Sequence, residues 1–421
     1  MLISRIREKR EIVGSARMPD VELTVFLGFY NASPYFKKIE AWLQRLNLAG
    51  AKLILVDNAS TDGTWDWIHG QLIPLLGDSS ITAVRNPINV GGYGSLALNL
   101  DLVEKGRWLM TLHQDDSYSP DHIVRHLDAI RLSKDNLGMI SSESISVSPS
   151  GKKLSYPRGS WLLGDSPEPA DVFIANLRSH SYPFSGASFR VDLLNSIQVP
   201  WHSTSFPDTE IVLRAAASWK SLHLARSTVQ YLENPKSESH SLNQAQKETG
   251  SFLALIRVFR SQEFISLVQE LDINDMEKFA LGVNSSLKTR FSSASLLGLL
   301  QAVAQETIIQ VAGPNRSSSS MLSSAFNGMG DHQASSTLDA LVDFETQSDP
   351  ANPELLLGKI SFSDDNPITT LGQETHAAKS DLIPWILGVL PNWLAKFIYL
   401  SALKLLPIRH RLPQWDFRWK K

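Results

Sequence analysis

The sequence predicts an α/β fold, a mostly parallel sheet with flanking helices, followed by a mainly helical C-terminal region. Three observations carry this reading. From Val21 onward, short β-rich runs alternate with helical periodicity, the signature of βαβ units. The segment Arg107 to Asp116 is an apolar, β-favouring run that breaks into the adjacent carboxylates Asp115 and Asp116, as a buried strand delivering polar groups to a sheet edge does. From Ser251 to about Val311 the pattern turns helical, with a dense apolar run at Leu296, Leu297, Leu299 and Leu300.

Taken in order, Glu22 to Gly28 reads as the first strand of the sheet. Asn31-Ala-Ser33-Pro34 then supplies a cap and a helix-starting proline, and Phe36, Ile39, Trp42, Leu43 and Leu46 give the helix one apolar stripe. Lys52 to Val56 is the second strand. It runs into the polar loop Asp57 to Gly63, before a helix through Trp65, Ile68 and Leu72. Ile81 to Val84 is the third strand, and the turn Asn86-Pro-Ile-Asn-Val-Gly-Gly-Tyr-Gly94 leads into another helix. The strand ending at Asp115 follows, and Ser119-Pro120 is expected to start its helix. Further on come a hairpin turn at Ser148 to Gly151, a short strand after Ser185-Gly186-Ala187, a helix opened by Pro207-Asp-Thr-Glu210 and an extended run from Ser221 to Leu232.

In open α/β sheets ligands bind beyond the carboxyl ends of the strands, so the loops at Asp57, at Asn89 to Gly92 and at Asp115 and Asp116 are expected to converge on one crevice. Two carboxylates at a strand end suit a hard divalent cation, which prefers oxygen ligands. The same pair also fits a solvated turn ahead of a helix.

Composition bounds the remaining possibilities. With 421 residues, 43% of them hydrophobic and 20% charged, the chain can bury a sizeable core in more than one domain. A formal net charge of -3 gives no case for a nucleic-acid partner, and none is expected. The absence of cysteine rules out disulfides, thiolate metal sites and a thiol nucleophile, and suits a reducing compartment. Met1 to Arg17 lacks the apolar core of a secretory signal. The best candidate for a membrane span, Leu382 to Leu406, is interrupted by Pro384, Pro391, Lys396 and Lys404. A cytoplasmic location is expected, including the inner face of the membrane.

Residues of about 21 to 245 resemble the inverting family-two glycosyltransferases of GT-A fold, including the rhamnosyl- and galactofuranosyl-transferase kind. Phe29-Tyr30-Asn31 resembles the family's opening motif. Val56-Asp57-Asn58-Ala-Ser-Thr-Asp-Gly63 resembles its nucleotide loop, in which the Asp matching Asp57 bonds the donor's base, with Asn58 beside it. Asn86 to Gly92 is similar to the turn lying against the donor nucleotide, which implicates Asn89, Gly91 and Gly92. His113-Gln114-Asp115-Asp116 sits at the Asp-x-Asp metal motif, and Asp208-Thr-Glu210 resembles the acidic motif whose Asp is the catalytic base. The pieces occur in the family's order. One departs from it: His113 replaces the first carboxylate of the metal motif, which in the family touches the donor's ribose or nucleotide.

The resemblance implies a metal-dependent enzyme that moves a sugar from a UDP- or dTDP-sugar to a glycan or lipid-linked acceptor with inversion, using manganese or magnesium held by Asp115 and Asp116. It assigns Asp208 the base's role. Glu210 either orients the acceptor or caps its own helix, Arg214 pairs with Glu210 or touches phosphate, and His240 either completes the metal site or is a solvated loop histidine. The Gly-Gly turn follows the third strand rather than the first, which weighs against a dinucleotide-binding dehydrogenase. A sugar nucleotidyltransferase is disfavoured by the lack of a Gly-rich, basic loop after the first strand. Gln414-Trp-Asp-Phe-Arg-Trp419 has one residue too many for the Gln-x-x-Arg-Trp motif of processive synthases, so a single addition is expected. The competing reading is a non-catalytic nucleotide- or glycan-binding module on a degenerate GT-A fold.

The expected organisation is an N-terminal tail (1–20), a catalytic domain (21–245), a helical extension (246–312), an acidic Ser-, Gly- and Asn-rich linker or loosely packed segment (313–381) and a basic, Trp-rich C-terminal segment (382–421). The last suits a peripheral membrane contact, packing on the catalytic domain, or packing on a second subunit in a homo-oligomer.

Overall fold

A computed structural model describes residues 2–14, 21–48, 50–77, 81–103, 107–133, 136–154, 167–179, 182–197, 206–233, 244–291 and 294–312. His240 and the segments 313–381 and 382–421 lie outside the described residues. The strands in chain order are β1 (Glu11–Gly14), β2 (Leu23–Phe29), β3 (Ala51–Asp57), β4 (Ile81–Arg85), β5 (Trp108–His113), β6 (Ser117–Tyr118), β7 (Leu137–Val147), β8 (Ser188–Arg190) and β9 (Lys220–Leu232). The α-helices are α1 (Leu2–Glu8), α2 (Phe36–Leu43), α3 (Thr64–Trp67), α4 (Ile73–Leu76), α5 (Gly92–Asn99), α6 (His122–Leu132), α7 (Pro169–Ser179), α8 (Val191–Ser196), α9 (Pro207–Ser218), α10 (Gln244–Phe259), α11 (Gln262–Glu270), α12 (Ile273–Arg290) and α13 (Ala294–Ala312).

The described strands form one sheet in the order β1-β4-β3-β2-β5-β8-β7-β9-β6. Its centre, β4-β3-β2-β5, is parallel, as the strand and helix alternation predicts. β3 is buried along its whole length, which explains its continuous apolar run rather than an alternating one. One face packs on α2 through Ile39, Trp42 and Leu43, which join Leu23, Val25, Leu53, Leu55, Met110 and Leu112 in a single core. Beyond β5 the antiparallel β8 links to β7, and β7 pairs in parallel with β9.

By packing, α10, α12 and α13 form a second compact unit, while all the described strands, α1 to α9 and α11 form the first. The expected boundary at 245 therefore needs correction, because α11 returns to the first unit and packs against α9. Two further expectations change. Residues 1–20 are not simply a tail, since α1 and β1 fold and β1 pairs antiparallel with β4 at the sheet edge. Ser119-Pro120 does not begin the helix after Asp116. A two-residue strand, β6, pairs with β9 first, and α6 starts at His122. The turn at Ser148 to Gly151 closes an antiparallel bridge between Val147 and Lys153, as expected of a hairpin.

Within the second unit α13 packs on both α10 and α12. Its core includes Phe252, Leu255, Met276, Val283, Leu287 and Val303. Among the described residues no helix is long and apolar enough to cross a membrane.

Candidate active site

In the parallel ladders Phe29 lies opposite Asp57 and Gly28 opposite His113. β3 and β5 thus end within one residue of the same level on either side of β2. With neighbouring strands about 4.8 Å apart, the two ends are roughly 10 Å from each other.

Asp57 is fully buried. Its Oδ1 accepts the Ser60 N–H (3.1 Å), and its Oδ2 lies 3.3 Å from Arg85 Nε yet accepts no hydrogen bond among the described residues. Burial raises its pKa against the opposing pull of Ser60 and Arg85. The loop around it is tied to the loop after β2. The Asn31 N–H donates to Ser60 Oγ (2.9 Å), Asn31 Oδ1 accepts the Thr61 N–H (3.0 Å), and Asp62 Oδ2 accepts the Ser33 N–H (2.8 Å). Asn31 and Ala59 hold positive φ of 46° and 61°, backbone strain of a kind that clusters at binding loops.

Asn58 is buried, and its amide connects this loop to the Asn-Gly-Gly turn. Its Nδ2 donates to Asn89 Oδ1 (2.6 Å) and the Gly91 carbonyl (3.2 Å), while its Oδ1 accepts from Asn86 Nδ2 (3.0 Å) and the Val90 N–H (3.3 Å). Gly91 sits at φ 75° and ψ 167°, a region that side chains exclude, and a Cβ at Gly91 or Gly92 would meet only open space. The turn thus presents bare backbone at the start of α5, a surface that suits close approach by a ligand.

At the end of β5, His113, Asp115 and Asp116 bring one ligand atom each to within 4.8 Å of one another. Asp116 is fully buried. Its Oδ1 accepts the Leu232 N–H (3.0 Å) and its Oδ2 accepts from Ser185 Oγ (2.6 Å). Burial, then the Asp115 charge, push its carboxyl up to about 6, against the pull of His113, Ser185 and the Leu232 N–H. His113 Nδ1 lies 3.8 Å from Asp116 Oδ2, and the His113 N–H donates to Tyr118 Oη (2.7 Å), which also bonds Ser185 Oγ (2.8 Å).

Several residues here were not singled out by the sequence. The Gln114 amide bonds both the N–H (3.0 Å) and the carbonyl (3.1 Å) of Tyr30, continuing the β2–β5 ladder by one side chain. Lys38 donates from Nζ to the Asp115 carbonyl; burial lowers its pKa, opposed by the charges of Asp116 and Asp115. Serine, tyrosine and lysine inside amphipathic runs carry no periodicity that marks them as site residues.

Asp208 opens α9, where its Oδ1 accepts the Thr209 N–H (2.8 Å). α9 packs against β7 and β9 and is separated from the start of β9 by Trp219 alone, so its own start lies toward the carboxyl edge of the sheet. Glu210 is buried, and its Oε1 accepts from Arg214 Nη1 (3.2 Å). Arg214 also makes a two-pronged pair with Glu263 of α11, 3.0 Å at each prong, and donates to the Ile197 carbonyl (2.8 Å). Arg214 therefore has the structural pairing foreseen as one of its two roles.

A mostly parallel sheet whose carboxyl edge carries a buried acid at one strand end and an acidic cluster two strands away places these groups where open α/β sheets bind their ligands. Residues 24–196 match the family model described as glycosyl transferase family 2. The mostly parallel sheet with flanking helices is the fold class the sequence predicts, and the match agrees with its GT-A resemblance. A search of curated proteins finds no match to the sequence. Similar solved structures include S. aureus TarS 1-349 in complex with UDP-GlcNAc, at 15% identity and a TM-score of 0.48, covering 71% of this chain and 92% of that one. The mannosyltransferase PcManGT from Pyrobaculum calidifontis in complex with GDP-Man and Mn2+ is similar at 16% identity and a TM-score of 0.40, covering 77% and 90%.

Proposed function

We propose that this glycosyltransferase domain moves one sugar at a time, with inversion, from a UDP- or dTDP-sugar to a hydroxyl of a glycan or lipid-linked acceptor. The observation that carries the reading is Asp57 Oδ2, a buried carboxylate oxygen without a hydrogen bond, at the same sheet level as the His113, Asp115 and Asp116 cluster. A pyrimidine's imide N–H satisfies the first group, and the attached diphosphate spans toward the second. Arg85 gives this oxygen an ion pair but no hydrogen bond, and buried acceptors lacking one are rare enough that a bound donor is its economical partner.

The donor set fits a hard cation: two carboxylates, with the imidazole Nδ1 able to join. Asp115 and Asp116 would hold manganese or magnesium, His113 would serve as a third ligand or as a donor to the nucleotide, and His240 would complete the site from the segment after β9. Both oxygens of Asp116 already accept one hydrogen bond, and each keeps a second lone pair. When bound, the cation neutralises charge on the leaving diphosphate.

The chain's own residues do the rest. Asn89, Gly91 and Gly92 offer bare backbone to the donor, and Asn58 holds that turn in place. Asp208, in the first turn of α9, accepts the proton of the acceptor hydroxyl as that hydroxyl's oxygen bonds the anomeric carbon and the bond to the diphosphate breaks. A single displacement of this kind inverts the anomeric centre. Glu210, fixed by Arg214, sets the first turn of α9 behind Asp208.

The substitution of His113 for an acid favours a second reading, a module that binds nucleotide or glycan without turnover. Release of UDP or dTDP from nucleotide sugars with manganese separates the two. Wild type is expected to turn over, Asp208→Asn to lose about 10²–10⁴-fold of the rate, and Asp115→Ala to lose its response to manganese. Nucleotide binding without turnover by the wild type, across pyrimidine and purine nucleotide sugars, would establish the module instead. Peripheral attachment through residues 382–421 at the inner face of the membrane is part of the same proposal. Unchanged flotation with anionic liposomes after deletion of 384–421 would remove it.

A further inference from the structure

Residues 1–14 precede the family-matched segment, yet the structure connects them to the donor turn through one continuous chain of hydrogen bonds. Arg10, from the link between α1 and β1, donates from Nη1 to Asn99 Oδ1 (2.7 Å). Asn99 Nδ2 donates to Asn86 Oδ1 (3.3 Å), Asn86 Nδ2 to Asn58 Oδ1 (3.0 Å), and Asn58 Nδ2 to Asn89 Oδ1 (2.6 Å). Asn89 Oδ1 in turn accepts the Gly91 N–H (2.9 Å). Asn58, Asn86 and Asn99 are 4%, 1% and 1% exposed, so the middle of the chain is dry.

Backbone groups fix which way these amides face. The Ser95 carbonyl accepts from Asn99 Nδ2 (2.8 Å), the Val90 N–H donates to Asn58 Oδ1 (3.3 Å), and the Gly91 N–H donates to Asn89 Oδ1. Asn86 is left the one orientation that serves both its neighbours. Every side-chain donation from Arg10 to Asn89 then runs the same way, with a cation at its head. Aligned bonds in a low-dielectric interior polarise and strengthen one another, and a break at Arg10 or between Asn99 and Asn86 takes from a buried amide oxygen the relay bond it accepts. The arm itself is firmly held. Arg7 donates to the Leu98 (2.8 Å) and Ala97 (3.1 Å) carbonyls at the end of α5, and Arg10 makes a two-pronged pair with Asp101 at 3.0 and 2.8 Å.

We propose that Asn86 is a positioning residue for the donor and that the N-terminal arm, through Arg10 and Asn99, sets the backbone of the Asn89 to Gly92 turn. The arm thereby belongs to the nucleotide site without touching it. The donor half of this statement rests on the function proposed above; the mechanical half does not.

The test uses the full chain and two variants that perturb the relay at different points. Arg10→Met removes the head, and Asn86→Asp, of nearly equal shape, sets a carboxylate oxygen against Asn58 Oδ1. Asp101→Asn is the control, since it weakens the anchoring of Arg10 without entering the relay. Hydrogen exchange is measured without ligand, and UDP affinity by calorimetry with manganese. In both variants, exchange at 89–92 is expected to rise at least several-fold while the α6 segment 122–132 keeps wild-type protection, and UDP to bind about tenfold more weakly, the equivalent of losing one well-placed bond. Asp101→Asn is expected to match wild type in both readouts. Unchanged exchange at 89–92 in Arg10→Met and Asn86→Asp overturns the proposal, as does wild-type UDP affinity in variants whose turn has loosened. Should wild type itself bind no nucleoside diphosphate, the functional reading falls, and the exchange data alone decide whether arm and turn are coupled.

Discussion

Asp57→Asn separates stability from binding in one substitution. The native carboxylate is fully buried, its Oδ2 accepts no hydrogen bond, and burial raises its pKa. A carboxyl with a raised folded-state pKa is stabilising only where it is protonated, and that contribution fades as pH rises through the folded value. At neutral pH the ionised group therefore burdens the unliganded fold, and a neutral amide of the same shape removes the burden. The Arg85 contact at 3.3 Å offsets part of it, but Arg85 is partly exposed, so screening keeps the loss small. The variant should unfold at an equal or higher denaturant concentration than wild type at pH 7. Binding changes in the opposite direction. A hydrogen bond to a charged acceptor contributes about 1.5–3 kcal/mol, so UDP should bind about ten- to a hundredfold more weakly. Calorimetry with UDP and manganese, beside urea unfolding, reads both quantities. An Asp57→Asn protein that binds UDP like wild type would refute the assignment of this carboxylate to the base, and one that is markedly less stable would refute the account of its burial.

Other consequences follow from buried charge. Lys52 is 1% exposed, its ammonium has no hydrogen-bond partner among the described residues, and burial lowers its pKa from 10.5 to about 8. Lys52→Met should raise stability at pH 7 by up to about 3 kcal/mol, and the gap should narrow as wild type gains stability from pH 8 toward 10.5; equal stabilities at pH 7 by urea unfolding would contradict this. His122 is buried with its pKa lowered by burial from 6.5 to about 4, so it should cost about 3 kcal/mol of stability as pH falls from above 6.5 to 4, and a flat acid profile by circular dichroism would count against it. Arg214→Met should destabilise by about 3 kcal/mol or more, because Glu210 and Glu263 both lose their cation inside the structure. Glu263→Gln, which leaves the Arg214 and Glu210 pair intact, should cost less in the same assay.

The central sheet could be read from the sequence because each parallel strand there is a locally complete signal. An apolar run such as Lys52 to Val56 ends in a polar loop, and the loops of a parallel sheet share one edge by topology. That topology predicts Asp57, Asn89 to Gly92, Asp115 and Asp116 at one edge, and in the structure β3 and β5 end on either side of β2. β1 was not legible, since it is four residues long, exposed throughout, and exists only through pairing with β4 some 70 residues away in sequence. The bonds made by Asp116 were hidden for a similar reason. Its partners Ser185 and Leu232 come from distant segments, and nothing local separates a buried aspartate from a metal-facing one. Asn86 reads as a turn residue, which it is, while its part in the relay depends on Asn99, Arg10 and Asn58. Gly186 shows what a local pattern does convey. Its positive φ and the 2.7 Å clash that a Cβ would make with Val229 explain why glycine opens the turn before β8.

The central claim is that the carboxyl edge of this sheet binds a nucleoside diphosphate sugar between Asp57 and a cation held at Asp115. Its most direct test is calorimetry of UDP and dTDP against wild type and Asp115→Ala, each with and without manganese. The account predicts tight binding to wild type only when manganese is present, and weak, manganese-insensitive binding to Asp115→Ala. Binding that is identical with and without the cation in both proteins, or no nucleotide binding by the wild type at all, would contradict it.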